Sequence, residues 1–274
     1  VLLTGGCATG SPHVPPGKPA EFLKVPPGFR ADILVENVPD ARSMALGEGG
    51  TLFVGTRFSG GGAVYAVRNA LGGNPTVLKF AEGLSMPNGL ALHEGALYVA
   101  EQKRLIRFPD AEASLDKPPA AEVVDPALPF KGVLHSWKYL AVGPDGKMYL
   151  PVGAPCNACA EPGFGVILRM NPDGTGREVV ASGIRNSVGL TWYPTTKELW
   201  FTDNGRDMLG DDVPPCELNR APRTGLDFGF PYCHGGTITD PQFGAAGSCS
   251  TAVPPVQALG PHVAPLGVKF YTGR

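Results

Sequence analysis

The chain has 274 residues, 43% of them hydrophobic and 18% charged, which supplies a large core and excludes intrinsic disorder. A formal net charge of -2 excludes an electrostatic grip on nucleic acid or on an anionic membrane surface. No apolar run is long enough for a transmembrane helix.

Residues 1–8 run through Val1, Leu2 and Leu3 to small residues and then Cys7, the pattern that ends a bacterial lipoprotein signal, here without its charged front. This predicts export, with the chain periplasmic or lipid-anchored at the bacterial envelope through Cys7. The plainer reading of Cys7 is an ordinary thiol in a loose tail. Residues 9–27 are polar and Pro-rich and read as a linker. Residues 1–27 are therefore expected to be signal remnant and tether, and 28–274 the folded domain. Beyond Cys7 stand Cys156, Cys159, Cys216, Cys233 and Cys249. An oxidising compartment predicts two disulfides among them with one thiol left over, the pairing being unreadable from sequence.

After a possible outer strand at 29–35, one unit recurs: a short strand, a tight turn, and a second strand carrying an aromatic residue. The pairs are 43–46 with 51–55, 89–92 with 96–100, 140–142 with 147–150, and 189–192 with 198–201. Their aromatic residues, Phe53, Tyr98, Tyr149 and Trp200, follow one another at intervals of 45, 51 and 51 residues. Third strands are expected at 63–67, 105–108 and 166–170. A period of this length with several strands per unit marks propeller blades, and radial stacking buries hairpins that could not bury their own faces. A β-sandwich has frequent turns but no long repeat. The expected fold is all-β, of the six-bladed β-propeller type. This sequence holds four blades, a long loop insertion at 203–262, and at 266–271 the opening strand of a fifth. Strand 29–35 is expected to close the ring from outside, and the chain to be a piece of a longer protein.

Loops on such a scaffold carry function, and three flank the hairpins. Residues 132–139 lead into the third blade and contain His135, whose imidazole can accept a proton from an alcohol; capping a strand is its structural alternative. Residues 182–190 lead into the fourth and place Arg185 one blade along, where a guanidinium can bind a carboxylate or polarise a carbonyl; a surface ion pair is the alternative. Residues 202–219 are rich in Asp, Asn and Gly, oxygen donors of the kind that suit Ca²⁺, though solvated loop acids look the same. Cys156 and Cys159 form a CxxC pair. No His follows them, which removes haem attachment, and disulfides rank above zinc in an exported chain.

Taken together, these stretches resemble the soluble glucose/sorbosone dehydrogenases, the aldose sugar dehydrogenases dependent on pyrroloquinoline quinone, and the sorbosone-dehydrogenase-like branch most. The resemblance rests on His135 followed by residues 143–149, on Gly183, Ile184, Arg185 and Asn186, on residues 199–207, and on Glu217, Leu218 and Asn219. It implies a quinoprotein that oxidises the anomeric or aldehyde carbon of an aldose-type sugar and passes electrons to an external acceptor. It further implies His135 as general base and substrate contact, and Arg185 and Asn186 as cofactor contacts. The Gly205 and Arg206 carbonyls would hold Ca²⁺ and meet the cofactor, and Asn88 would stand near a substrate position. Lys138 and Tyr139 depart from the family's common Gly-Arg, and Phe228 from a common Tyr. Two rival functions are a calcium-dependent propeller lactonase or esterase and a non-catalytic propeller that binds a sugar or a protein.

Overall fold

The computed structural model describes residues 2–5, 18–20, 23–57 and 61–273. Four antiparallel sheets follow one another along the chain, each with its strands in sequence order. The first blade comprises Ala41–Leu46, Leu52–Thr56, Gly62–Arg68 and Thr76–Leu84, and the second Gly89–His93, Ala96–Ala100, Leu105–Phe108 and Glu122–Asp125. The third comprises Ala141–Val142, Met148–Val152, Val166–Met170 and Glu178–Ser182, and the fourth Leu190–Trp192, Leu199–Asp203, Pro215–Ala221 and Gln257–Pro261. The leading strand of the second blade packs on the leading strands of the first and third, so these strands line a common axis. This is the expected propeller arrangement.

The second and third blades are covered by a neighbour on both faces, and the first by the second blade on one face and by Leu34, Val35 and Val38 on the other, which is why their second strands read as unbroken apolar runs. Every residue of Leu52–Thr56, Ala96–Ala100 and Met148–Val152 is buried. Three slabs of core lie one between each pair of successive blades, and a fourth cluster of Leu52, Val54, Val67 and Ala70 lies on the other face of the first blade. Phe53, Phe80, Val99 and Phe108 fill the first, Tyr98, Leu105, Met148 and Leu150 the second, and Tyr149, Ile167, Phe201 and Phe228 the third. The aromatic residue of each hairpin thus points into the following blade. Trp200 repeats the pattern: its ring meets Phe270 edge-on, with centroids 5.3 Å apart.

A glycine lets each blade approach the next. A β-carbon on Gly89 would stand 2.8 Å from Lys138 O and 2.9 Å from Leu140 N, the backbone leading into the third blade. Gly55 meets Pro87 and Asn88 in the same way, and Gly189 meets Leu266. Residues 266–268 therefore sit against the fourth blade as 138–140 sit against the second. The expected opening strand at 266–271 occupies its place, but among the described residues no strand pairs with it and no ladder forms. We expect Gly89→Ala to lower stability by about 1–3 kcal/mol, because the clash is with backbone that cannot step aside. Urea unfolding measures it, and an unchanged midpoint would contradict the close approach.

Two expectations change. The strand near the start spans Phe29–Ile33 and pairs with Leu2–Gly5 and Lys18–Pro19 rather than with a blade; Phe29 meets the Tyr271 ring edge-on at 5.1 Å, and Leu34 and Val35 pack on the first blade. Cys7 lies outside the described residues. The expected insertion at 203–262 contains the last two strands of the fourth blade. These strands escaped the pattern because Pro215–Ala221 carries buried Glu217 and Asn219 where an apolar run would be. Between them, Leu226–Asp227 pairs in parallel with Ala181 and Ser182 at the outer edge of the third blade. Cys156 bonds Cys159, Cys233 bonds Cys249, and Cys216 is a buried free thiol.

Candidate active site

The lead-in segments of the third and fourth blades meet at Gly153 and Ala154, just past the strand Met148–Val152. A β-carbon on Gly153 would stand 2.6 Å from His135 Cβ and 2.8 Å from Asn186 Oδ1, so only glycine lets the two flank it. Ala154 ties both segments. Its carbonyl takes the His135 ring at 2.6 Å, and its N–H donates to Arg185 O at 2.8 Å. A carbonyl only accepts, so Nδ1 carries the imidazole proton and Nε2 keeps its lone pair. Among the described residues Nε2 has no hydrogen-bond partner. His135 holds this pose with φ of 50°, in the left-handed region. Burial, and after it the positive charge of Arg185, push the imidazole down to about 4, against the pull of the Ala154 bond.

Arg185 is 6% exposed and every guanidinium N–H is used. Nε donates to Asn157 O at 2.8 Å, Nη1 to Asn204 O at 3.2 Å and Gly205 O at 2.9 Å, and Nη2 to Asn157 Oδ1 and Asp207 Oδ2, both at 3.0 Å. The backbone beneath is set by Asp203, whose two oxygens accept the N–H groups of Arg185 at 2.9 Å and Asn186 at 2.7 Å. Asp203 lies opposite Glu217 in the fourth blade. Both are buried, so desolvation and then mutual repulsion push Asp203 up to about 7, and burial pushes Glu217 up as well. Asn204 completes the joint, donating to Asn186 O at 3.1 Å and Pro265 O at 2.9 Å.

The structure thus brings His135, Arg185, Asn186 and the Gly205 carbonyl into one place. At two expected positions the groups already bond to protein. Calcium at the Gly205 and Arg206 carbonyls would face the guanidinium that already bonds the Gly205 oxygen, setting a divalent cation against a fixed positive charge. Among the described residues no group of three or more His, Cys, Asp or Glu could hold a metal instead. Asn88 is buried, and its side chain accepts from Ser43 Oγ at 3.4 Å and donates to Lys138 O at 2.7 Å. It stitches blades together, with both ends of its amide engaged by protein.

The side chain of Arg206 links the site to a buried cluster, its Nε donating to Asp207 O at 3.3 Å. It donates to Asp240 Oδ2, which also meets His234 Nε2 at 2.9 Å; Asp240 Oδ1 accepts the N–H groups of Gln242 and Phe243, each at 2.8 Å. Burial pushes the Asp240 carboxyl up, but the bonds from His234, Phe243 and Arg206 outweigh it and bring the group down to about 2. Neither Asp240 nor Asn157 was legible as a site residue. Asn157 sits inside the CxxC pair, where the cysteines carry the motif and an asparagine carries none, and the Arg206–Asp240 contact spans 34 residues.

The family described as Glucose / Sorbosone dehydrogenase matches residues 120–274. An uncharacterized protein of Borreliella burgdorferi is 30% identical over 264 residues, covering 92% of this chain and 68% of that one. Among solved structures, the holo PQQ domain of a pyranose dehydrogenase from Coprinopsis cinerea shares 18% identity. It superposes with a TM-score of 0.76 over 91% of this chain and 72% of its own. The PQQ-bound aldose sugar dehydrogenase of Streptomyces coelicolor shares 23% identity, with a TM-score of 0.63 over 85% and 72%. The two structural likenesses carry the fold.

Proposed function

Because the chain belongs to the glucose/sorbosone dehydrogenase family, we propose that it is a quinoprotein dehydrogenase, with His135 as the base that deprotonates an aldose-type sugar at its anomeric hydroxyl. The observation that carries this reading is the His135 Nδ1–Ala154 bond, which leaves Nε2 unprotonated and open beside a buried guanidinium. The donor set suits pyrroloquinoline quinone, an anionic planar group. Arg185 is ringed by neutral carbonyls, and its single carboxylate partner, Asp207, is 64% exposed and the easiest contact to exchange. Arg185 and Asn186 would hold the quinone, which when bound supplies a two-electron acceptor for hydride. His135 Nε2 takes the hydroxyl proton and Nδ1 keeps its bond to Ala154, so the tautomer does not change. The fixed charge of Arg185 stabilises negative charge that develops next to it. The two disulfides support the proposal that the chain works in an oxidising compartment outside the cytoplasm.

The experiment supplies the protein with the quinone, with and without calcium, together with a dye acceptor and a panel of aldoses. Dye reduction dependent on both sugar and quinone is the expected result. Lactone hydrolysis without quinone, or sugar binding without turnover, would overturn the assignment. The pH profile gives a second check. A base held near 4 stays neutral at every higher pH, so protonation of His135 itself should lower kcat/KM as pH drops through about 4. The absence of any limb near 4 would show that another group is the base, whereas a limb near 7 would report the buried Asp203–Glu217 pair beneath Arg185 and Asn186.

A further inference from the structure

We propose that Asn157, held inside the Cys156–Cys159 disulfide ring, is the positioning residue of Arg185 and sets where the guanidinium stands relative to His135. The significance for catalysis rests on the function proposed above; the geometry does not.

Asn157 takes two of the five guanidinium donors itself, Nε on its carbonyl and Nη2 on Oδ1. The other three end on Asn204 O, Gly205 O and the Asp207 carboxylate. Asn157 grips that segment too: Oδ1 accepts Asp207 N–H at 2.8 Å, and Nδ2 donates to Asp207 O at 3.0 Å. Every donor of Arg185 therefore lands on two segments, and Asn157 joins them. The side chain needed is an amide, because one end must accept from a guanidinium and from an N–H while the other donates to a carbonyl. Aspartate could not make the last bond, and alanine could make none of the side-chain ones.

The disulfide accounts for how such a residue is held. Asn157 lies in the connection between Met148–Val152 and Val166–Met170, a stretch with no strand of its own. Ordering a free loop residue is opposed by about 1–2 kcal/mol of backbone entropy. A bond between cysteines three positions apart closes a small ring around Asn157 and removes much of that freedom beforehand.

The test reads Arg185 through its neighbour, without cofactor. The guanidinium charge helps keep the His135 imidazole neutral, so releasing it should let His135 protonate more readily. His135 is titrated by NMR in the wild type, in Asn157→Ala, and in the double variant Cys156→Ser with Cys159→Ser, the signal being assigned with His135→Asn. We expect the midpoint to rise by roughly one unit in both variants and kcat/KM of the quinone-loaded enzyme to fall with it. A loop that only supports the fold would lower the thermal midpoint and leave the titration unmoved, which overturns the proposal. Asn157→Ala keeps both cysteines and decides the matter if the serine variant does not fold. A moved titration in a protein that oxidises no aldose would leave the positioning role standing and remove the dehydrogenase.

Discussion

Replacing His135 with alanine should reduce aldose turnover by about 100- to 10,000-fold, the range a positioned general base supplies, while the quinone still binds. The separation follows from the geometry. The imidazole is tied to Ala154 through Nδ1 and contributes Nε2, whereas the groups suited to an anionic cofactor are Arg185 and Asn186. Quinone binding is read from the absorbance of the bound cofactor and turnover from dye reduction. Near-normal turnover in the variant would take the base role from His135. Because His135 has φ of 50°, alanine introduces backbone strain of its own. His135→Asn supplies the control: asparagine tolerates the left-handed region but cannot act as a base at neutral pH. Turnover should be lost in both variants, and stability mainly in the alanine one.

The largest stability effect is expected at Asp240. Its carboxylate is buried between Arg206 and His234 and accepts two backbone N–H groups, so Asp240→Ala strands a buried guanidinium and two amide donors at once. Removing one partner of a buried ion pair is destabilising by about 3–5 kcal/mol. Urea unfolding at pH 7 measures the difference, and a change within experimental scatter would mean that the cluster is solvated. The pH dependence has a definite sign. The folded carboxyl titrates at about 2, below its ordinary value of 3.8, so its stabilisation is complete above about pH 4 and is lost as pH falls toward 2. Wild type and variant should therefore converge in acid. An Arg206→Met, Asp240→Leu double variant should recover part of the loss, since it strands neither charge.

The blades were legible because their inner hairpins obey a local rule. Strands covered on both faces need apolar residues throughout, and the turns between them need Gly, Pro or Asp; Phe53, Tyr98 and Tyr149 sit where that rule put them. The outer strands did not show: Thr76–Leu84 and Glu178–Ser182 mix exposed polar with buried positions. Pro215–Ala221 hid for a different reason, its buried Glu217 and Asn219 lying near the site. His135, Arg185 and Asn186 could be named as candidates from their places before successive hairpins. Their convergence was expected from their equivalent places on neighbouring blades; the joint that makes it, Gly153 and Ala154, was not, because neither side chain carries a chemical signal. Arg185 seemed free to polarise a ligand; only the folded chain shows all its donors spent.

The parallel pairing of Leu226–Asp227 with Ala181 and Ser182 bears on how the molecule comes apart. It continues through Phe228 N–H to Ser182 O and Phe230 N–H to Gly183 O, and is reinforced by Ser182 Oγ on Asp227. A sheet edge ordinarily frays by itself, yet here the margin of one blade is sewn to the excursion of the next, so the two must open as a single cooperative unit. That unit holds both segments that carry the reacting groups. Loosening the margin of the third blade therefore means loosening the fourth, and the segments that carry His135 and Arg185 open together or not at all.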